Sequence, residues 1–71
     1  MSNPNTASRD PAARFHDRDG TEHEVIVRDA PDGGYLVVDR GEEEVLVEQL
    51  DENDGRAAAV AIARDYANTH T

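Results

Sequence analysis

Three short runs of branched aliphatic residues dominate the middle of the chain: VIV at 25–27, LVV at 36–38 and VLV at 45–47. The segments between them contain the Gly, Pro and Asp residues that favour tight turns between antiparallel strands. A shorter run around Phe15 adds one more strand before the first Gly-containing turn. The pattern therefore predicts four strands, spanning residues 14–18, 22–29, 35–40 and 43–50.

After Leu50 the period of the apolar residues changes from that of a strand to that of a helix. The segment DENDGRAAAVAIARDYANTH opens with Asp51 and Asn53, both good N-caps, and predicts a helix over 54–68. Its apolar stripe is broad and rich in alanine, which permits close approach to a sheet. The stripe consists of Ala59, Val60, Ile62, Ala63, Tyr66 and Ala67. The fold class predicted is α+β: a four-stranded antiparallel meander followed by one C-terminal helix on one face, in the order ββββα.

The first 13 residues, MSNPNTASRDPAA, show no apolar periodicity and contain two prolines among small polar residues. This composition predicts a disordered N-terminal tail over 1–13, followed by a single α+β domain over 14–71.

The turn residues predict the strand register. A three-residue loop ending at Gly20 pairs Arg14 with Glu24, whereas a two-residue loop would place Asp17 against Glu22, a like-charge pair. The first loop also moves Phe15 onto the face of the following strand's apolar residues. The three-residue loop is therefore the predicted register.

The second and third hairpins follow from the same reasoning. Pro31-Asp32-Gly33 suits a type I turn with a glycine bulge and pairs Ile26 with Val38. Gly41-Glu42 suits a type II′ turn, which predicts the pairs Val38–Val45, Leu36–Val47 and Arg40–Glu43.

These registers divide the apolar residues between the two faces of the sheet. We assign the helix to the face that holds Phe15, Val25, Val27, Tyr35, Val37, Leu46 and Leu50. The other face keeps five aliphatic residues, Ile26, Leu36, Val38, Val45 and Val47, with Arg28 and Arg40 at its rim. Leaving five such side chains in water forfeits several kcal/mol of hydrophobic free energy, and patches of this kind mark partner surfaces. These seven residues are therefore the predicted interface for sheet-to-sheet or edge-mediated association, most simply in a symmetric homodimer. Two alternatives stay open: the leading segment folds over this face, or one register is wrong.

The charge of the chain suggests where such a protein works. The 71 residues include 16 acidic and seven basic ones, all seven arginine and none lysine, for a net charge of −9. In molar salt the screening length falls to about 3 Å, so the repulsion among carboxylates largely disappears. This acidic, lysine-free composition resembles that of proteins from halophilic archaea and implies a salt-adapted protein. There is no cysteine, no signal-peptide pattern and no apolar run near the roughly 20 residues of a membrane span, which predicts a cytoplasmic protein without membrane partners.

No residue constellation predicts catalysis, a metal site or a cofactor. The predicted register places His16 and His23 on opposite faces of the sheet, so they are expected to be surface residues rather than zinc ligands. His70 lies at the helix C-terminus, where the dipole favours a cation. Ser2 and Ser8 fall in the predicted tail, and no serine or threonine has a histidine at a useful spacing. The protein is therefore predicted not to be an enzyme.

Specific residues suggest two alternative functions. Arg14, Arg28 and Arg40 share the uncovered face and suggest nucleic-acid binding, although nearby Glu24 and Glu43 neutralise them. The stretch EVIVRDAPDGGYLVV at 24–38, with the alanine-rich helix near 56–67, resembles the hairpin and helix of HicB-type antitoxins. That resemblance implies a small ribonuclease partner, but DRGEEEVLVEQL at 39–50 replaces the family's Pro- and Gly-bearing segment with another strand. The main prediction is a non-enzymatic protein–protein interaction module, homodimeric and salt-adapted.

Overall fold

Four consecutive strands form one antiparallel sheet in the computed structural model, which describes residues 11–70. The strands are β1 (Ala13–His16), β2 (Glu22–Asp29), β3 (Tyr35–Arg40) and β4 (Glu44–Leu50), in the order β1-β2-β3-β4. A 3₁₀ turn at Glu52–Asp54 leads into the single helix α1, Arg56–Thr69. The predicted α+β fold with ββββα order is confirmed.

Most of the predicted tail, residues 1–10, lies outside the described residues. Within the described part, the Ala12 amide donates to the Val25 carbonyl at 2.9 Å, and β1 begins at Ala13. Ala12 and Ala13 pack against the core. Residues 12 and 13 therefore extend the ordered domain by two positions beyond its predicted start at residue 14.

The first two hairpins have the predicted registers. Arg14 lies opposite Glu24, and Ile26 lies opposite Val38. Gly20 and Gly33 adopt φ values of 86° and 94°, as the bulge position of each turn requires. Only glycine reaches this region without strain from a Cβ atom, which is why these two turns could be predicted from sequence.

The third hairpin does not have the predicted register. Val38 pairs with Leu46 rather than Val45, and a β-bulge opposite Val37 then shifts Leu36 onto Gln49 instead of Val47. The predicted type II′ turn is also wrong, because Gly41 lacks the positive φ that such a turn needs. Gly41 has a different role: a Cβ atom there would lie 2.5 Å from Cε1 of His23. The glycine is required by a close approach of backbone to imidazole, and not by the turn type.

Helix α1 covers the sheet face to which it was assigned. Three alanines at a spacing of four residues, Ala59, Ala63 and Ala67, are buried against the sheet. Their small side chains let the helix lie close to β1, β2 and β3, where Val25 and Val37 are fully buried. The rest of the core cluster comprises Phe15 and Leu50, with Ile62 and Tyr66 among the half-buried residues around it.

The start of α1 differs from the prediction by two residues. Asp51 caps the 3₁₀ turn instead of the helix, in a capping box with Asp54. Gly55, with a φ of 85°, then occupies the N-cap of α1 without a side-chain hydrogen bond. The capping box of Asp51 therefore stabilises only the short 3₁₀ turn, and Gly55 changes the direction of the chain before α1 begins.

Candidate functional site: the open sheet face and the edge of β4

The sheet face opposite α1 carries only part of the predicted interface. The register aligns Ile26, Val38 and Leu46 in one row across β2, β3 and β4. Leu36 lies in the next row on the same face. Val45 pairs with Asp39, whose side chain faces α1, and Val47 packs against the core under the helix. The predicted placement of Val45 and Val47 on the open face is thus wrong.

The one-residue shift of the third hairpin explains why Val45 and Val47 lie on the helix side of the sheet. A slip of one residue turns every side chain of a strand to the other face. Leu46, assigned to the helix side, therefore lies on the open face, and its two neighbours lie on the helix side. Among the described residues, Val45 and Leu46 are the large hydrophobic side chains left exposed, at 52% and 56% of their surface.

Ion pairs cover the middle of the open face. Arg28 makes a bidentate contact with Glu44, at 2.9 and 3.3 Å, and Arg40 Nε lies 3.3 Å from the same carboxylate. Arg28 and Glu44 stand in rows on either side of Ile26, Val38 and Leu46, so their ion pair crosses that row. The aliphatic stem of an arginine buries apolar surface in this way, and Val38 is accordingly only 6% exposed.

The remaining arginine of the open face is paired as well. Arg14 Nε lies 3.6 Å from Glu24, as the predicted register implied. Arg40, predicted to pair with Glu43, pairs with Glu44 instead because of the shifted hairpin. The two predicted interface arginines, Arg28 and Arg40, therefore both contact one carboxylate of the same chain.

The outer edge of β4 is a second exposed feature. β4 is the last strand of the sheet order, so its outward N–H and C=O groups have no neighbouring strand within residues 11–70. Val45 and Leu46 lie on this edge strand and are consecutive, so they project from opposite faces of the sheet. The edge thus combines unpaired backbone groups with apolar surface on both of its sides.

A polar network lies on the other face, at the end of the sheet covered by the C-terminal half of α1. His23 Nδ1 is 2.7 Å from Asp39 Oδ1, and His23 Nε2 is 2.8 Å from Asp17 Oδ2. The Tyr66 hydroxyl donates to the other oxygen of Asp39 at 2.7 Å. Phe15 stacks on the His23 ring with centroids 4.5 Å apart. Asp39, 5% exposed, is the buried charged residue of the described chain.

The geometry fixes the protonation of this network. A carboxylate only accepts hydrogen bonds, so an imidazole bonded to two carboxylates carries a proton on each nitrogen. The hydrogen bonds to Asp17 and Asp39 raise the pKa of His23, and the bond from His23 lowers the pKa of Asp17. Burial, followed by the bond to Asp39, raises the pKa of Tyr66 to about 12.

These contacts make the network structural. Neither nitrogen of His23 is free to act as a base or a metal ligand, and the ring is held between Phe15 and the backbone of Gly41. The expectation that His23 is a solvated surface residue is wrong, since its side chain is only 18% exposed. Asp39 on an inward position of β3, with Tyr66 on the inward stripe of α1, was the sequence feature from which this network could have been inferred.

The other two histidines have the expected positions. His16 is exposed on the open face, opposite Glu22. The His70 amide donates to the Ala67 carbonyl, and its Nδ1 lies 2.8 Å from the Tyr66 carbonyl, which caps the C-terminus of α1.

An open groove of about 530 Å³ separates the first hairpin from the end of α1. It is lined by Phe15, His16, Asp17, Arg18, Thr69 and His70. Its carboxylate, Asp17, is engaged by His23, and its hydroxyl, Thr69, donates to the Asp65 carbonyl at 2.9 Å. The groove therefore offers no nucleophile paired with a base among the residues that the structure describes.

Within residues 11–70, no three His, Asp or Glu side chains are grouped closely enough to hold a metal ion. No helix in that same range combines the length and apolar character needed to cross a bilayer. No protein-family model, no curated protein and no solved structure matches the chain.

Proposed function

We propose that this protein is a non-enzymatic protein–protein interaction module that associates with a second copy of itself. The observation that carries the proposal is the exposure of Val45 and Leu46 on an edge strand whose outer side has no neighbouring strand within residues 11–70. In a chain with so few large apolar residues, leaving two of them more than half exposed is costly, and burial against a partner recovers that free energy.

The chemistry of the polar side chains supports a binding role over a catalytic one. His23 and Asp39 are consumed by hydrogen bonds within the fold, and Tyr66 keeps its proton because its pKa is about 12. Three buried or half-buried polar groups that resemble a catalytic set therefore stabilise the packing of α1 instead.

The arginines argue against nucleic acid as the partner. Arg14, Arg28 and Arg40 on the open face each contact a glutamate of the same chain. A phosphate backbone would have to displace these carboxylates and approach a chain of net charge −9.

Salt adaptation belongs to the same proposal. A surface with 16 acidic and seven basic residues repels a second copy at low ionic strength. Screening in molar salt removes that repulsion and leaves the hydrophobic contribution. Association that strengthens with salt is the behaviour expected of this module.

The test is the mass of the full chain in solution. We expect sedimentation velocity to give the 7.8 kDa monomer at low salt and high dilution. The mass should double as KCl rises to about 3 M, where charges beyond a few ångströms are screened. A monomer at every salt and protein concentration would overturn the proposal.

A further inference from the structure

We infer that two copies associate by antiparallel pairing of β4 with β4, which joins their four-stranded sheets into one continuous sheet. This inference rests on the proposed self-association and specifies its geometry. The alternative geometry is contact between two open faces, and the sequence did not distinguish it from association through an edge.

The positions of the exposed residues favour the edge over the face. Val45 lies on the helix side of the sheet and Leu46 on the open side, each more than half exposed. A partner that covers one face can bury only one of them. A strand added to the edge of β4 brings side chains alongside both, because its residues also alternate between the two faces.

The open face is also a poor docking surface by itself. Its central residue, Val38, belongs to the row that the Arg28–Glu44 ion pair crosses and is already buried, at 6% exposure. A second open face would have to displace that ion pair to gain apolar contact. Pairing at the edge leaves it intact.

The charge on β4 permits pairing with itself. Edge strands are protected against association by charged residues and proline, lysine above all. β4 has seven residues, with neither lysine nor proline, and Glu44 is already neutralised by Arg28 and Arg40. Glu48 is the remaining carboxylate of the strand.

The apolar residues and the bulge of β4 together favour one symmetric register. A two-fold axis at Leu46 places Leu46 against Leu46 of the second copy on the open side. It also places Val45 against Val47 of the second copy on the helix side. Without a bulge, Glu44 would lie opposite Glu48 of the second copy. The extra residue at the bulge opposite Val37 shifts the pairing by one, so that Glu44 lies opposite Gln49 of the second copy instead. Apolar residues then meet on both faces, and no two carboxylates lie directly opposite each other.

Single cysteines test this register directly, because the protein has no cysteine of its own. In the proposed pairing the two Cα atoms at position 46 lie about 5 Å apart, within disulfide range. Those at position 45 are offset by two residues and lie about 8 Å apart, beyond that range. We expect Leu46→Cys to form a covalent dimer under mild oxidation in molar KCl at least tenfold faster than Val45→Cys. Equal rates, or a faster Val45→Cys, would overturn the pairing.

Charge substitutions distinguish an edge from a face. Val45→Lys and Leu46→Lys should each weaken the dimer by tenfold or more in sedimentation equilibrium. Ala61→Lys, which adds the same charge on the exposed side of α1, should leave it unchanged. Both target side chains are more than half exposed, so the monomer keeps its fold, which circular dichroism verifies.

The outcomes separate the two proposals. If only one of the two lysine substitutions weakens the dimer, the interface is a face of the sheet. Edge pairing is then wrong, and the proposed self-association still holds. If neither acts on a dimeric wild type, the interface lies elsewhere and edge pairing is again wrong. If the wild type is monomeric under all conditions, both proposals fail.

Discussion

At the scale of single residues, the most informative position is His23, an imidazole held between two carboxylates. Asp17 approaches it from the first hairpin and Asp39 from β3, while Tyr66 of α1 binds the far side of Asp39. Because an imidazole hydrogen-bonded to two carboxylates must be cationic, this cluster holds one positive charge between two negative ones. Its stabilising effect therefore depends on pH.

The protein should lose stability as the pH rises from 6.5 through the raised pKa of His23. The pKa of His23 is raised above its ordinary value of 6.5, so its contribution is complete below 6.5 and is lost as the pH climbs through the raised value. The pKa of Asp17 is lowered from 3.8, so that contribution is lost only as the pH falls through the lowered value. Thermal unfolding should thus show a maximum Tm between these limits.

His23→Gln is the variant that checks the assignment. It should flatten the decline of Tm on the alkaline side, because glutamine does not titrate. His16→Gln, an exchange at an exposed histidine of the neighbouring strand, should leave the decline in place. An unchanged profile in His23→Gln would contradict the assignment to His23.

At the scale of elements, local chemistry decided some features and long-range packing decided others. The first two hairpins could be predicted because Gly20 and Gly33 need positive φ at defined positions. The third hairpin could not be predicted in this way, since Gly41 is required by its close approach to the ring of His23, 18 residues away in sequence, and not by the turn type. The shifted register of β4 also exchanged Val45 and Leu46 between the two faces of the sheet.

Helix α1 offers a prediction about packing. Ala63 is fully buried where α1 crosses the sheet, so Ala63→Leu should overpack the interface and cost about 1–3 kcal/mol of unfolding free energy. Ala61→Leu makes the same change on the exposed side of the helix and should cost far less. Urea denaturation measures both. Similar midpoints would mean that α1 does not lie as close to the sheet as its alanines indicate.

At the scale of the whole molecule, the dominant property is the net charge of −9 on 71 residues. Like charges at this density oppose the compact state as well as association, and salt screens both effects. The hydrophobic core is small, so the electrostatic term is a large share of a marginal stability.

The melting temperature should therefore rise with KCl, by about 4–8 °C for each kcal/mol of repulsion that is screened. Dimerisation also raises Tm by mass action, so the measurement is repeated on Leu46→Lys. If the rise of Tm with KCl persists in this variant, it is caused by screening of charge within the monomer. If the rise disappears, it is caused by dimerisation. A Tm independent of KCl in both proteins would contradict salt adaptation.

The sequence by itself determined the order of the elements, the helix-covered face and two of three registers, because alternation, turn glycines and the alanine stripe are local properties of the chain. It also determined the charge, which requires no fold at all. Only the tertiary structure decided the register of β4, the burial of Asp39 and the edge on which apolar surface is left exposed. Asp39 is buried through hydrogen bonds to His23 and Tyr66, which are distant in sequence, and the register of β4 contains a bulge that the turn residues do not specify.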